Sequence, residues 1–195
     1  MTETTLDRRD LLTHLFADPD GHLFISGLAG AARDAAALTG DGDNLFTMAG
    51  TMGAAVSMGL GVALSAPEKP VAVITGDGEV LMNIGSLATV ATIAPSNLSI
   101  VCINNGRHGE TGGQAGHTSG LADLEMIARG MGIASTMTIS NPDQLAEAAA
   151  FLADAPSPRF LVVSVTDGPP TTYKRNMDPA ACRLRFRDAY LGATQ

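Results

Sequence analysis

Residues 71–75, VAVIT, form an unbroken apolar and β-branched run that stops at once on Gly76-Asp77-Gly78. A strand wetted on one face alternates polar and apolar residues, so a run without alternation needs cover on both faces. Two more such runs follow, LSIVCI at 98–103 and FLVVSV at 160–165, with shorter candidate strands at 22–26 and 44–48. Helices are expected over 5–16, 53–65, about 81–93, 123–131 and 142–153, and a glycine-rich loop over 106–120. Apolar strands separated by helices predict a parallel sheet with helices on both faces. The expected fold is a single doubly wound α/β domain over 1–195, with 166–195 as a C-terminal tail and helix.

Composition narrows the function classes. A formal charge of −8 argues against nucleic acid and anionic membrane surfaces as partners. It leaves a phosphorylated ligand open, because a backbone nest or a metal binds phosphate whatever the net charge. Apolar residues make up 45% while aromatics make up only 4%, so Gly and Ala carry much of the packing. The two cysteines, Cys102 and Cys182, have no CxxC spacing, which gives no support for an iron–sulfur cluster or structural zinc. The N-terminus has no apolar signal core and no stretch approaches a membrane span, so a soluble, cytoplasmic protein is expected.

Ligands of such sheets sit beyond the carboxyl ends of the strands. Two strand ends carry distinctive chemistry here: Gly76-Asp77-Gly78 after VAVIT and Asn104-Asn105-Gly106 after LSIVCI. Either tripeptide alone reads as an ordinary turn. Together they lie 28 residues apart, Asp77 to Asn105, with a helix between, and one β-α-β unit brings both to the same sheet edge. Asp77 offers a hard anionic oxygen and Asn105 a neutral one, suited to Mg²⁺ together with diphosphate oxygens.

The segment GDGEVLMNIGSLATVATIAPSNLSIVCINN resembles the signature of thiamine-diphosphate-dependent enzymes. The resemblance implies that Asp77 and Asn105 ligate Mg²⁺ together with the backbone carbonyl of Arg107. It assigns Gly76, Gly78 and the N–H of Glu79 to the cofactor's diphosphate, although Glu79 departs from the small polar residue often found there. Gly50-Thr51-Met52-Gly53 resembles the stretch that holds the aminopyrimidine. Met52 is then the wedge between the two rings, and the Gly50 carbonyl faces the 4′-amino group; the alternative for Met52 is ordinary core. The stretch NNGRHGETGGQAGHTSGLADLEMIARGMG and the tail YKRNMDPAACRLRFRDAYL are similar to small subunits of sulfopyruvate decarboxylase and to phosphonopyruvate decarboxylase.

That likeness implies decarboxylation of a small anionic 2-oxoacid such as 3-sulfopyruvate. It implies a loop after Asn105 that closes over substrate, with His108 and Glu110 as candidate catalytic groups and Glu110, Thr111, Gln114 and His117 nearby; Arg107 would serve the substrate's anionic group instead. None of the six glutamates, at 3, 68, 79, 110, 125 and 147, sits where the family's cofactor-activating glutamate would. A separate pyrimidine-binding subunit is therefore expected to supply it, in a hetero-oligomer, with the 53–65 helix as a candidate contact or a plain core helix. Two other readings stay open: another two-chain enzyme of this cofactor, such as a carboligase or a 2-oxoacid oxidoreductase, and a non-catalytic Mg²⁺–diphosphate-binding regulator.

Overall fold

The protein is described here from a computed structural model, which describes residues 4–191 except Asp10 and Ala49. In chain order the elements are α1 (Leu11–Leu15), β1 (Leu23–Ser26), α2 (Ala29–Thr39), β2 (Leu45–Thr47), α3 (Ala55–Ser65) and β3 (Val71–Gly76). Then come α4 (Asp77–Met82), α5 (Gly85–Ile93), β4 (Leu98–Asn104), a hairpin of β5 (Arg107–His108) and β6 (Gln114–Ala115), and α6 (Leu124–Gly130). The chain finishes with β7 (Ser135–Ile139), α7 (Leu145–Asp154), β8 (Arg159–Ser164) and α8 (Pro179–Leu191).

Six strands form one parallel sheet in the order β2-β1-β3-β4-β8-β7. Period-2 alternation splits the central strands between two cores. Ile25, Val73, Ile100, Cys102 and Val162 face α3, α5 and α6, whereas Phe24, Ile74, Val101, Ile103 and Leu161 face α1, α2 and α7. The doubly wound α/β class expected from VAVIT is the one observed. Helix α3 lies so close to the sheet that a Cβ on Gly59 would stand 2.1 Å from Val73 Cγ2. The Gly/Ala composition of this helix is thus a packing requirement of its inner face.

Four local expectations are corrected. The 5–16 helix is only Leu11–Leu15. Gly76-Asp77-Gly78 is no free turn: Asp77 opens α4, where acidic Asp77 and Glu79 suit the positive end of the helix dipole. The expected 81–93 helix is split at Asn83–Ile84, and Asn83 Nδ2 bridges to the Gly53 carbonyl at 2.9 Å. Two elements escaped the sequence reading: the Ala-rich helix α2 and the edge strand β7. The glycine-rich 106–120 stretch contains the β5–β6 hairpin and two short 3₁₀ turns.

After β8 the tail crosses back under α2. The Thr166 N–H donates to the Leu6 carbonyl, that of Thr171 to Asp34 Oδ1 at 3.1 Å and that of Asn176 to Asp41 Oδ2 at 2.8 Å. Helix α8 then docks by Cys182 and Phe186 against β2, at the far edge of the sheet.

Candidate functional site

In this sheet β1 connects outward to β2 while β3 begins on its other side, which makes the β1–β3 junction the topological switch point. A cleft of about 370 Å³ opens there. Its wall is built from Leu28 to Ala31 after β1, Gly76 to Glu79 at the end of β3, and Asn105 with Arg107 to Thr111 after β4. Residues 167–170 of the tail, Arg8, Arg33 and Met52 complete it.

Asp77 is 3% exposed, and the Thr118 hydroxyl donates to its Oδ2 at 2.6 Å. Gly116 packs on the same oxygen: a Cβ there would stand 3.3 Å from it. Asn105 is half-buried, its Oδ1 accepting the Arg107 N–H at 3.3 Å. The His108 ring lies over Gly78, whose Cβ would stand 2.8 Å from the ring's Cε1, so only glycine permits this approach. The β5–β6 hairpin is held at both flanks. Arg33 on α2 pairs with Glu110 at 2.9 Å, and Arg107 pairs with Asp167 at 2.6 Å. All four groups are substantially exposed, so each pair contributes no more than about 1 kcal/mol.

Glu79 takes a larger part than its backbone N–H alone. Its side chain is 5% exposed and crosses to the β1–α2 loop, where Oε2 accepts the Leu28 N–H at 3.2 Å. The carboxylate fills the space beside Gly27, where a Cβ would overlap it. Oε1 is buried and has no hydrogen-bond partner among the described residues. Burial pushes this carboxyl above the usual carboxylate range, against smaller opposing effects from the Leu28 N–H and the Thr75 hydroxyl.

The structure brings Met52, Gly76, Asp77, Gly78, Glu79, Asn105, Arg107, His108 and Glu110 onto one cleft. Gly50 is not on its wall; it is exposed, with φ +99°. Gln114 and His117 are also exposed and off the wall. Sequence reasoning missed Thr118, which meets Asp77 across 41 residues, and the arginines Arg8 and Arg33. For Thr118 the nearness of the glycine-rich loop to Asn105 was a usable signal; for Arg8 there was none. Among the described residues no three His, Cys, Asp or Glu side chains gather as a metal cluster; of the cleft's carboxylates Glu79 accepts the Leu28 N–H, Glu110 pairs with Arg33 and Asp167 with Arg107, while Asp77 meets only the Thr118 hydroxyl. A divalent ion at this edge therefore needs further anionic oxygens from a ligand.

Comparison with known proteins agrees with this geometry. The family described as "Thiamine pyrophosphate enzyme, C-terminal TPP binding domain" matches residues 42–163. Phosphonopyruvate decarboxylase of Streptomyces viridochromogenes is 39% identical over 75% of this chain, which spans 37% of that protein. Sulfopyruvate decarboxylase subunit beta of Methanocaldococcus jannaschii is 46% identical over 51% of this chain and 53% of its own length. That of Methanothermobacter thermautotrophicus is 33% identical over 97% of this chain and 98% of its own. A thiamin diphosphate-dependent enzyme structure from Mycobacterium smegmatis superposes with a TM-score of 0.62 at 21% identity, covering 80% of this chain and 31% of that one, a likeness of fold. With the family match spanning the β3 and β4 strand ends of the cleft, and a relative aligned along nearly its whole length, this chain belongs to the thiamine pyrophosphate enzymes and carries their C-terminal TPP binding domain.

Proposed function

We propose that this chain is the diphosphate-binding subunit of a decarboxylase acting on a small anionic 2-oxoacid, with 3-sulfopyruvate favoured and a pyrimidine-binding subunit as partner. The observation that carries the proposal is that Asp77, Asn105 and Arg107 line one glycine-walled cleft, with the Arg107 N–H bound to Asn105 Oδ1. The residues present fit the cofactor. A buried carboxylate, a carboxamide and a main-chain carbonyl are hard oxygen donors for Mg²⁺, and the cleft volume suits a small-molecule site.

Thiamine diphosphate, when bound, supplies the electron sink that lets the carboxylate leave as CO₂. The chain's own residues hold and orient. Thr118 fixes the Asp77 carboxylate, leaving its remaining lone pairs for the metal. Gly78 keeps a Cβ out of the path between the strand end and His108. His108 is the imidazole on the wall and the candidate to hand a proton to the substrate. Glu110, bound to Arg33, holds the hairpin down, while Arg33 and Arg107 offer cations to the substrate's tail. The partner subunit would supply the activating glutamate. Alignment with a subunit beta along 98% of its length supports this arrangement.

A second substrate, 3-phosphonopyruvate, is favoured by the 39% identity to phosphonopyruvate decarboxylase. Its tetrahedral anionic tail asks for the same arginines. Calorimetry with thiamine diphosphate and Mg²⁺, partner present, tests the site: Asp77→Ala should lose Mg²⁺-dependent binding while circular dichroism stays unchanged. Undiminished binding by the variant would end the proposal. A CO₂-release assay comparing the sulfonate and the phosphonate then separates the two substrates.

A further inference from the structure

The loop from Gly50 to Gly53 carries Met52 to the wall of the cleft. Gly50 and Gly53 both take positive φ, +99° and +81°, so a glycine flanks Thr51 and Met52 on each side. Glycine has the most backbone freedom to lose on folding, and a loop hinged on two of them needs ties from outside. One tie is local, from the Thr51 N–H to the Met48 carbonyl at 3.0 Å. Another comes from Asn83, whose Nδ2 donates to the Gly53 carbonyl at 2.9 Å across 30 residues.

Asn83 is itself held on both sides. Its N–H donates to the Val80 carbonyl at 3.2 Å, where α4 ends. Its carbonyl accepts the Ser86 N–H at 3.0 Å and the Ser86 hydroxyl at 2.7 Å, where α5 begins. The same Nδ2 lies 3.4 Å from Ser57 Oγ on the first turn of α3, a helix without a capping side chain of its own. The approach is close: a Cβ on Gly53 would stand 3.3 Å from Met82 Cβ and 3.4 Å from Asn83 Cβ. Helix α4 thus bears Asp77 at its start and, at its C-cap, the side chain that ties down the Met52 loop. One short helix sets the spacing between the carboxylate at the strand end and the apolar Met52.

We infer that Asn83 is a positioning residue, holding Met52 at a set distance from Asp77 so that a ligand anchored by its diphosphate meets Met52 with its ring; this rests on the cofactor reading above. Asn83 is exposed and lies off the cleft wall, so it acts through Gly53 and touches no ligand itself. A diphosphate without a ring engages the Asp77 end and is indifferent to the Met52 loop. That separates this role from a general support of α4, whose loss would disturb Asp77 as well.

The test compares two probes, Mg²⁺–pyrophosphate and Mg²⁺–thiamine diphosphate, by calorimetry on the complex with the pyrimidine-binding subunit. Asn83→Ala should leave pyrophosphate affinity within about twofold of wild type. It should weaken thiamine diphosphate about three- to tenfold, the range of one neutral hydrogen bond. Turnover at saturating cofactor should fall by up to about 100-fold, because reacting groups misplaced by about 1 Å lose on that order. In a Met52→Ala background the Asn83 change should add little to either loss, since the residue it positions is gone. Asn83→Asp keeps the shape and loses the donor; it should repeat these effects, and it decides alone if Asn83→Ala does not fold by circular dichroism. Equal weakening of both probes overturns the inference and gives Asn83 to the support of α4. So do unchanged thiamine diphosphate binding and turnover, or losses that add in full to those of Met52→Ala. A wild-type complex that ignores both probes overturns the cofactor reading, and this inference with it.

Discussion

Asp77 and Glu79 are both acidic, two residues apart on the first turn of α4, yet the fold uses them in opposite ways. The Asp77 carboxylate receives the Thr118 hydroxyl and stays available at the strand end. Glu79 is turned under the β1–α2 loop with one oxygen unsatisfied. Because burial raises the Glu79 pKa above its ordinary 4.5, the folded state favours the proton more than the unfolded state does. Its contribution to stability is thus full below the unfolded pKa and is lost as pH rises through the folded one. Thermal melts in chelator between pH 4 and 8 should show wild type losing ground against Glu79→Gln as pH increases. The amide keeps an acceptor for the Leu28 N–H without a charge to bury. Melting temperatures that run parallel across this range would show that Glu79 ionises as freely in the fold as in the open chain. Asp77 and Asn105 were readable because each follows a run that can only be a buried strand. The partners of Glu79, Thr118 and Arg8 were not, since contacts at sequence separations of 51, 41 and 26 leave no local trace.

Strands β3, β4 and β8 were legible because a doubly covered strand has no polar position to disguise it. Strand β7 was missed for the converse reason: at the sheet edge only Thr136 and Ile139 of its five residues, STMTI, are buried, and three are polar. Helix α2 was missed because Leu28 at its N-cap gives no capping side chain, and it starts at Ala29 with φ +62°. The single helix expected after Gly76-Asp77-Gly78 breaks where Asn83 turns aside to bind the Gly53 carbonyl, a tertiary contact that overrides local propensity. Helix α3 shows how composition becomes geometry. Gly59→Ala should improve helix propensity by up to about 1 kcal/mol, but it drives a methyl to 2.1 Å from fully buried Val73. Overpacking of this kind costs about 1–3 kcal/mol, so urea melts should show net destabilisation of about 1 kcal/mol. Adding Val73→Ala, which vacates the contested space, should make the Gly59→Ala change cost less than it does alone. Equal costs in both backgrounds would mean the close approach of α3 to β3 is not what fixes Gly59.

The molecule as a whole carries more apolar surface than its own core uses. Leu64 on α3, Met82 on α4 and Ile93 on α5 are 51%, 64% and 44% exposed, and Met126 on α6 is 70% exposed. Helix α3 is a core helix with an outward side: Ala55, Val56, Gly59, Leu60, Val62 and Ala63 are buried, while Ser57, Gly61 and Leu64 are exposed. We propose that the outward side of α3 is among the surfaces the partner subunit covers. The cleft tells the same story chemically. Its wall gathers oxygen donors and arginines for a diphosphate, but its glutamates are already committed, Glu79 to the Leu28 N–H and Glu110 to Arg33. With the activating glutamate supplied by the partner subunit, as proposed, the chain alone should release no CO₂ from 3-sulfopyruvate or 3-phosphonopyruvate. It should still bind Mg²⁺–thiamine diphosphate, though weakly, having the contacts to the diphosphate half only. It should also self-associate as concentration rises, which sedimentation velocity would detect. Mixing it with the pyrimidine-binding subunit should bring tight cofactor binding, CO₂ release and loss of self-association together, because one interface accounts for all three. Full activity from the demonstrably pure chain would instead require a glutamate of its own to activate the cofactor. Glu79→Gln and Glu110→Gln would then identify it by which one abolishes turnover while leaving pyrophosphate binding intact.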